Sequence, residues 1–229
     1  MSVESLYPFL YSGDADLDAV IEAVRRSTVE KADEIVALRE ELAERDADRL
    51  VVCAEAMAAS FAMGGRLLAF GNGGSSTDAQ DVATTFLAPP AGRRPLPALA
   101  LTADVAVLTA LSNDVGFEVV FARQIAAFGR SGDIALGLST SGGSANVLRG
   151  FEEAGRRGLL TVGLAGYDGG KMTEAGTVEH LFVVPSSSVH RIQEAQTTLY
   201  HILWELTETI FASEPASNGG DEHVPRHSG

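Results

Sequence analysis

Two loops rich in glycine and hydroxyl residues are the parts of this sequence best suited to chemistry. The first, residues 71–76 (GNGGSS), follows the apolar run 66–70, and the second, residues 139–144 (STSGGS), follows the apolar run 134–138. Glycines let a backbone approach a ligand closely, while helix-start N–H groups and hydroxyls favour an anion. Neither loop has the lysine of a P-loop or the glycine spacing of a dinucleotide fold. Together the loops predict a phosphosugar site.

Each loop is expected to lie between a strand and a helix. From residue 66 onward short apolar runs alternate with helical stretches, which predicts an α/β domain. Near-continuous apolar strands indicate a parallel sheet covered on both faces, and right-handed crossovers place the loops after the strands at one edge, where ligands gather. The five predicted strands are residues 66–70, 97–101, 133–138, 160–164 and 180–184.

The two ends of the chain differ from this region. Residues 1–13 show no clear period and are predicted to form an arm, and apolar residues at helical spacing predict helices between residues 17 and 62. Residues 50–62 are apolar on most faces, which favours contact with another subunit, although the core of the same chain would also explain it. The predicted organisation is an arm (1–13), a single domain with N-terminal helices (14–213) and a disordered tail (214–229).

Composition excludes several classes of function. The chain has 229 residues, 45% of them hydrophobic, which is enough for one substantial core. A net charge of -14, from 17 basic and 31 acidic residues, opposes direct binding to nucleic acid or to an anionic membrane. The single cysteine, Cys53, is predicted to be a buried thiol in a reducing compartment. With no leader pattern and no membrane-spanning run, we expect a cytoplasmic protein.

Several motifs in a consistent order resemble the SIS (sugar isomerase) domain family, in its phosphoheptose isomerase branch. They are GNGGS with DAQ (71–80), NDVGF with FARQ (113–124), STSGGSANVL (139–148), DGGKM (168–172), and RIQE (191–194) with a histidine at 201. The resemblance runs from the N-terminal helices to residue 211. It implies a three-layer flavodoxin-like α/β sandwich with a five-stranded parallel sheet, a homotetramer with sites near subunit interfaces, and conversion of sedoheptulose 7-phosphate into an aldoheptose 7-phosphate.

The resemblance also implies roles for single residues. Asn72 would lie near the sugar, and His201 would be the catalytic histidine. Asp114 and Gln193 would contact sugar hydroxyls or complete the site. The residues that would bind the phosphate are Gly73, Ser75, Ser139, Thr140, Ser141 and Ser144.

The catalytic side of the resemblance is incomplete. An aldose–ketose isomerase needs a base that removes a proton from the carbon beside the carbonyl, and an acid that moves protons between the two oxygens. The resembling isomerases carry a histidine and, four residues later, a glutamate on the helix after the first loop. Here these positions hold Asp81 and Thr85. A threonine hydroxyl is no base at neutral pH, so activity on sedoheptulose 7-phosphate is expected to be weak or absent.

A metal is not expected at this site. Some family members bind zinc through the same histidine and glutamate, together with a glutamine and the helix histidine. Only Gln193 and His201 keep their residue type here, and Asp81 could add one oxygen. Because an amide oxygen is a weak zinc ligand, we expect no tightly bound metal and no cofactor, while weak zinc binding stays open.

Three functions remain open at this point. Asp81 could act as the base and His201 as the acid on a sugar phosphate of the sedoheptulose 7-phosphate type. Alternatively, the protein could bind a phosphosugar without turnover, or act as an interaction scaffold like the replication-initiator-associating protein of this branch. A carboxyl of raised pKa in a dry pocket facing His201 would favour catalysis, whereas an exposed one would favour binding or scaffolding. An aspartate near a helix start can also simply interact with the helix dipole.

Overall fold

The structure is a computed structural model of the chain and describes residues 17–213. The predicted arm (1–13) and tail (214–229) lie outside the described residues, so both stay predictions. The chain forms two compact units, divided after Arg45. The prediction of a single domain over residues 14–213 likewise stays a prediction.

The described part of the first unit, from residue 17, is the beginning of a long helix. This helix, α1, spans Leu17–Ala62, so the predicted N-terminal helices form one continuous helix. Residues 17–62 contain neither glycine nor proline, the residues that most often interrupt a helix. Exposed ion pairs line the first unit, with Arg25 3.9 Å from Glu22 and Arg45 3.8 Å from Glu41.

The described part of the second unit contains the rest of α1, six further helices and five strands. The helices are α2 (Gly74–Leu87), α3 (Val105–Asp114), α4 (Val120–Phe128), α5 (Ala145–Arg156), α6 (Gly170–Ala175) and α7 (Val189–Ser213), with a short 3-10 helix at Phe117–Val119. The strands are β1 (Leu67–Gly71), β2 (Ala98–Ala100), β3 (Ile134–Ser139), β4 (Leu160–Gly166) and β5 (His180–Val184).

All five strands pair in parallel, in the order β2–β1–β3–β4–β5. From β1 the chain first moves to β2 on one side and then returns to β3 on the other side. Such a switch point opens a crevice at the carboxyl edge of the sheet. Gly71 pairs with Leu138, so the two glycine-rich loops begin side by side at this point. The predicted parallel sheet and its flavodoxin-like order are confirmed.

Helices cover both faces of the sheet and complete the three layers. On one face α3 to α6 enclose a core in which the Phe70 ring lies 5.3 Å from Phe121 and 5.2 Å from Phe151. The other face carries the last part of α1 with α2 and α7, where Phe61 and Phe86 stack at 5.6 Å. This second layer holds Asp81 and His201, so the packing of α2 against α7 sets the distance between their side chains.

Two features bear on the cellular compartment predicted for the protein. Cys53 is fully buried and free, as predicted, and burial raises the pKa of its thiol to about 12. Within residues 17–213, no helix combines the length and the apolar character needed to cross a bilayer. The cytoplasmic location stays a prediction.

Candidate active site

The two glycine-rich loops meet at the carboxyl edge of the sheet and form what we call the oxyanion cup, residues 72–76 and 139–144. Gly73 precedes α2 with φ 56, a conformation that favours glycine. Ser144 precedes α5. Neither helix start has a side chain that caps its first turn. Uncapped N–H groups at two adjacent helix starts suit an anion.

Hydroxyl groups of the second loop line the cup. The hydroxyls of Ser139 and Ser144 are 3.0 Å apart and share a hydrogen bond. Ser141 accepts a hydrogen bond from the Gly143 N–H at 3.2 Å. Ser75 and Ser139 are buried, whereas Ser141 is exposed. The structure thus brings the loop residues predicted to bind phosphate to one place and offers neutral donors there.

An asparagine pair joins the two loops across the switch point. The Asn72 Nδ2 donates to Asn146 Oδ1 at 2.7 Å, and the Asn146 Nδ2 donates to Asn72 Oδ1 at 2.8 Å. Asn146 is buried in the first turn of α5. The pair braces the cup, and Asn146 is a residue whose role the sequence did not reveal. The sugar contact that the resemblance implies for Asn72 stays a prediction. The one available signal was an asparagine in each of the two loop segments.

The turn before α6 supports the second loop from outside. Gly142 has φ 62, and a Cβ added there would lie 2.0 Å from the carbonyl oxygen of Gly169. The Met172 N–H donates to the Gly142 carbonyl oxygen at 3.0 Å. Only glycine fits at residue 142, so the DGGKM turn acts as a wall that shapes the cup.

A second cluster, Asp81 with Tyr200 and His201, lies between α2 and α7. Asp81 Oδ2 accepts a hydrogen bond from the Tyr200 hydroxyl at 2.6 Å and lies 3.6 Å from His201 Nε2. The side chains of Asp81 and His201 are 50% and 45% exposed. The structure therefore pairs the predicted base with the predicted acid, but in a partly solvated place rather than a dry pocket. Tyr200 was missed, because its spacing marks only a buried helix face.

Asp78 is a partly buried carboxyl with a raised pKa. Burial raises the pKa of Asp78 from 3.8 to about 6, a hydrogen bond from Gln193 opposes the rise, and the charge of Asp81 adds to it. Its Oδ2 is buried and has no hydrogen-bond partner within the described residues. The Gln193 amide also lies against the start of α2, 2.0 Å from where a Gly74 Cβ would be. Gln193 therefore links the cup to the aspartates, and Asp78 is a residue whose role the sequence did not reveal.

Asp114 lies apart from both groups. It is the exposed last residue of α3, where it accepts a hydrogen bond from Asn113 Nδ2 at 2.8 Å. Within residues 17–213 no hydrogen bond joins it to the cup or to the Asp81 cluster. Its contact with a sugar stays a prediction.

The residues at the family's zinc positions do not fit a zinc ion. In the described part of the chain, no three or more His, Cys, Asp or Glu side chains are grouped as metal ligands. Asp81 already accepts a hydrogen bond from Tyr200, and the remaining position is Thr85. Weak zinc binding stays a prediction.

The cup and the Asp81 cluster occupy different turns of one helix. Asp81 comes six residues after Ser75 on α2, which is about 9 Å along the axis at about 1.5 Å per residue. A ligand that reached both would carry its anion at one end and its reacting atoms at the other. The arrangement is suited to holding a phosphate while a carboxylate and an imidazole move protons at a distance from it.

Comparison with known proteins identifies the family. The SIS domain family matches residues 32–166. The chain is 43% identical over 186 residues to the phosphoheptose isomerase of Thermodesulfovibrio yellowstonii, covering 81% of this chain and 92% of the relative. It is 44% identical over 165 residues to that of Aquifex aeolicus, covering 72% and 85%. The solved phosphoheptose isomerase of Neisseria gonorrhoeae matches with a TM-score of 0.75 at 35% identity, covering 81% of this chain and 99% of that one. The chain therefore belongs to the SIS-domain family, in the branch of the phosphoheptose isomerases.

Proposed function

We propose that this protein is an aldose–ketose isomerase for a sugar phosphate of the sedoheptulose 7-phosphate type, with Asp81 as base and His201 as acid. The observation that carries the proposal is the pairing of Asp81 with His201, 3.6 Å between Oδ2 and Nε2, on the helix whose first turn forms the cup. The related phosphoheptose isomerases support the reaction class.

The spacing along α2 favours a long sugar phosphate. The phosphate binds the hydroxyls and N–H groups of the cup, and the carbonyl end of the open-chain sugar reaches Asp81, about 9 Å along the helix. An open chain of six or seven carbons spans a comparable distance, whereas a triose phosphate is too short to reach both places. A heptose phosphate is therefore the substrate class that we test first.

The chemistry requires only proton transfers. The Asp81 carboxylate removes the proton from the carbon beside the carbonyl, and protonated His201 donates its proton to the carbonyl oxygen, which gives an enediol. Neutral His201 then accepts a proton from the neighbouring hydroxyl oxygen, and Asp81 returns its proton to the former carbonyl carbon. Both groups end in their starting states, and the carbonyl has moved by one carbon. Because Asp81 is half exposed and residue 85 is threonine, we expect slow turnover.

One observation favours the second candidate, a phosphosugar-binding protein without catalysis. The Asp81 and His201 side chains are 50% and 45% exposed, and water weakens acid–base catalysis by solvating both groups. In that case the cup alone carries the function, as a sugar-phosphate sensor or as the ligand-responsive part of an interaction scaffold.

Deuterium exchange at the carbon beside the carbonyl distinguishes the isomerase from the non-catalytic binding protein. With sedoheptulose 7-phosphate in deuterated water, NMR should show deuterium entering at the carbon beside the carbonyl and an aldoheptose 7-phosphate accumulating. Asp81→Asn and His201→Asn should each slow the exchange about a hundredfold or more, while Asp48→Asn, which changes an exposed carboxylate on α1, should leave its rate unchanged. Exchange at the wild-type rate in both site variants would refute the assignment. Calorimetric binding without any exchange would favour the sensor.

A further inference from the structure

We infer that Tyr200 is a positioning residue for the proposed base: its phenol O–H holds Oδ2 of Asp81 and thereby leaves Oδ1 to accept the substrate proton. This inference rests on the proposed function. It concerns a residue on the buried side of α7, next to His201, whose hydroxyl bonds within residues 17–213 go to Asp81 and Thr197.

Two side chains, Tyr200 and His201, approach the same carboxylate oxygen of Asp81. Tyr200 is 2% exposed, and its hydroxyl emerges from the core to reach Asp81 Oδ2 at 2.6 Å. His201, the next residue, approaches the same oxygen at 3.6 Å, and the two rings meet edge to face at 4.9 Å. Within the described residues, no hydrogen bond reaches Asp81 Oδ1. The oxygen that remains available is therefore the one directed away from the phenol.

The phenol is a fixed donor. Burial, followed by the hydrogen bond to Asp81, raises the pKa of Tyr200 well above its usual value near 10. The hydroxyl consequently keeps its proton through the neutral range and donates it to the carboxylate. Hydrogen bonds between a hydroxyl and an ionised carboxylate are short and strong, so the bond restricts rotation of the carboxylate. Such restriction favours catalysis, because a base that is held in place loses less freedom when it meets the substrate.

The neighbouring charges make such a donor useful. Asp78 lies one turn before Asp81 on α2, and the charge of Asp81 helps to raise the pKa of Asp78. Among residues 17–213, the titratable groups that face Asp81 are Asp78 on its own helix and Tyr200 and His201 on α7. The hydrogen bond from Tyr200 and the His201 imidazole, 3.6 Å away, both lie at Oδ2 of Asp81.

Removing the hydroxyl oxygen of Tyr200 tests its positioning role. In Tyr200→Phe the ring still fills the core, and we expect kcat for sedoheptulose 7-phosphate exchange to fall about tenfold with KM unchanged within about twofold. Thr197→Val is the matched control, because it removes the Thr197 hydroxyl, which is the other hydrogen-bond partner of the phenol, at 3.4 Å. The substitution leaves the hydrogen bond between Tyr200 and Asp81 in place. Its kcat should equal that of the wild type.

A double variant and a crystal structure distinguish a failure of this inference from a failure of the proposed function. In Asp81→Asn, adding Tyr200→Phe should cause no further loss of residual exchange. A Tyr200→Phe enzyme with wild-type kcat, or with the loss entirely in KM, would overturn the inference and leave the proposed function standing. If the wild type shows no exchange, the proposed function fails, and a crystal structure of Tyr200→Phe then gives the answer. A reoriented Asp81 carboxylate would support the positioning role, and an unmoved one would overturn it.

Discussion

Asp78 and Asp81 are one helical turn apart, yet their surroundings differ. Asp78 is partly buried beside Gln193, and its pKa of about 6 leaves it partly protonated near neutral pH. Asp81 is half exposed, accepts a hydrogen bond from the Tyr200 phenol and lies 3.6 Å from the His201 imidazole. Two carboxyls in unlike environments are suited to different protonation states, a common arrangement where proton transfer is performed.

The raised pKa of Asp78 predicts a pH-dependent stability effect. The folded-state pKa of about 6 exceeds the usual 3.8, so the contribution of Asp78 to stability is full below pH 4 and is lost as pH rises through 6. Asp78→Asn should therefore raise the free energy of unfolding at pH 7.5 by about 1 kcal/mol, after allowance for solvent screening. At pH 4 it should bring no gain. Urea unfolding at both pH values measures this, and an equal effect at both would contradict the buried-carboxyl account.

A carboxylate placed at position 85 is expected to increase activity. If the missing glutamate limits the rate, Thr85→Glu should raise deuterium exchange on sedoheptulose 7-phosphate by roughly a hundredfold, since a placed general base contributes about that much. Thr85→Gln has nearly the same shape without the charge and should give no increase. Equal exchange rates in the glutamate and glutamine variants would show that a base at this position is not what the protein lacks.

At the scale of elements, the cup depends on the contact between the second loop and the turn before α6. A Cβ at Gly142 would meet the Gly169 carbonyl oxygen at 2.0 Å, whereas a Cβ at Gly143 would meet its first neighbour, the Ser141 hydroxyl oxygen, at 3.7 Å. The two adjacent glycines therefore differ in what they tolerate. The loop has a rigid side toward β4 and an open side toward the ligand.

This difference gives a matched pair of variants. Gly142→Ala should destabilise the fold by on the order of 2 kcal/mol and lose sugar-phosphate binding, because the backbone is strained and Gly169 blocks the side chain. Gly143→Ala should keep both properties. Urea unfolding and calorimetry with sedoheptulose 7-phosphate measure the two effects. Similar behaviour of the two variants would mean that the turn does not shape the cup.

At the scale of the whole molecule, the first unit presents apolar side chains that suggest further copies of the chain. Five aliphatic residues of α1 are 41–60% exposed in this unit: Val20, Ile21, Val24, Val29 and Val36. Exposed apolar side chains grouped along one helix are a feature of protein interfaces. A homo-oligomer, with a tetramer expected, would cover it.

Light scattering tests the oligomer. At micromolar concentration we expect a mass of about four chains, consistent with closed symmetry of homo-oligomers. Val24→Glu should shift the mass toward smaller species by placing a charge in the apolar surface, while Glu22→Gln, an exposed neighbour, should not. A wild-type monomer would contradict the prediction.

Local patterns in the sequence determined the strands, the loops and the edge at which they meet. Apolar runs at 66–70 and 134–138 became β1 and β3 with limits shifted by at most one residue, because strand formation follows the local pattern of side chains. The parallel sheet then followed from the alternation of strands and helices. The grouping of the two glycine-rich loops needed no further information.

Only the tertiary structure decided which side chains meet. Tyr200 reaches Asp81 across 119 residues of sequence, and Asn146 reaches Asn72 across 74. The local pattern does not show which of these residues meet, because the direction of a side chain depends on how α7 packs against α2 and how β1 pairs with β3. The raised pKa of Asp78 has the same origin, since burial belongs to the packed layers and not to the residue.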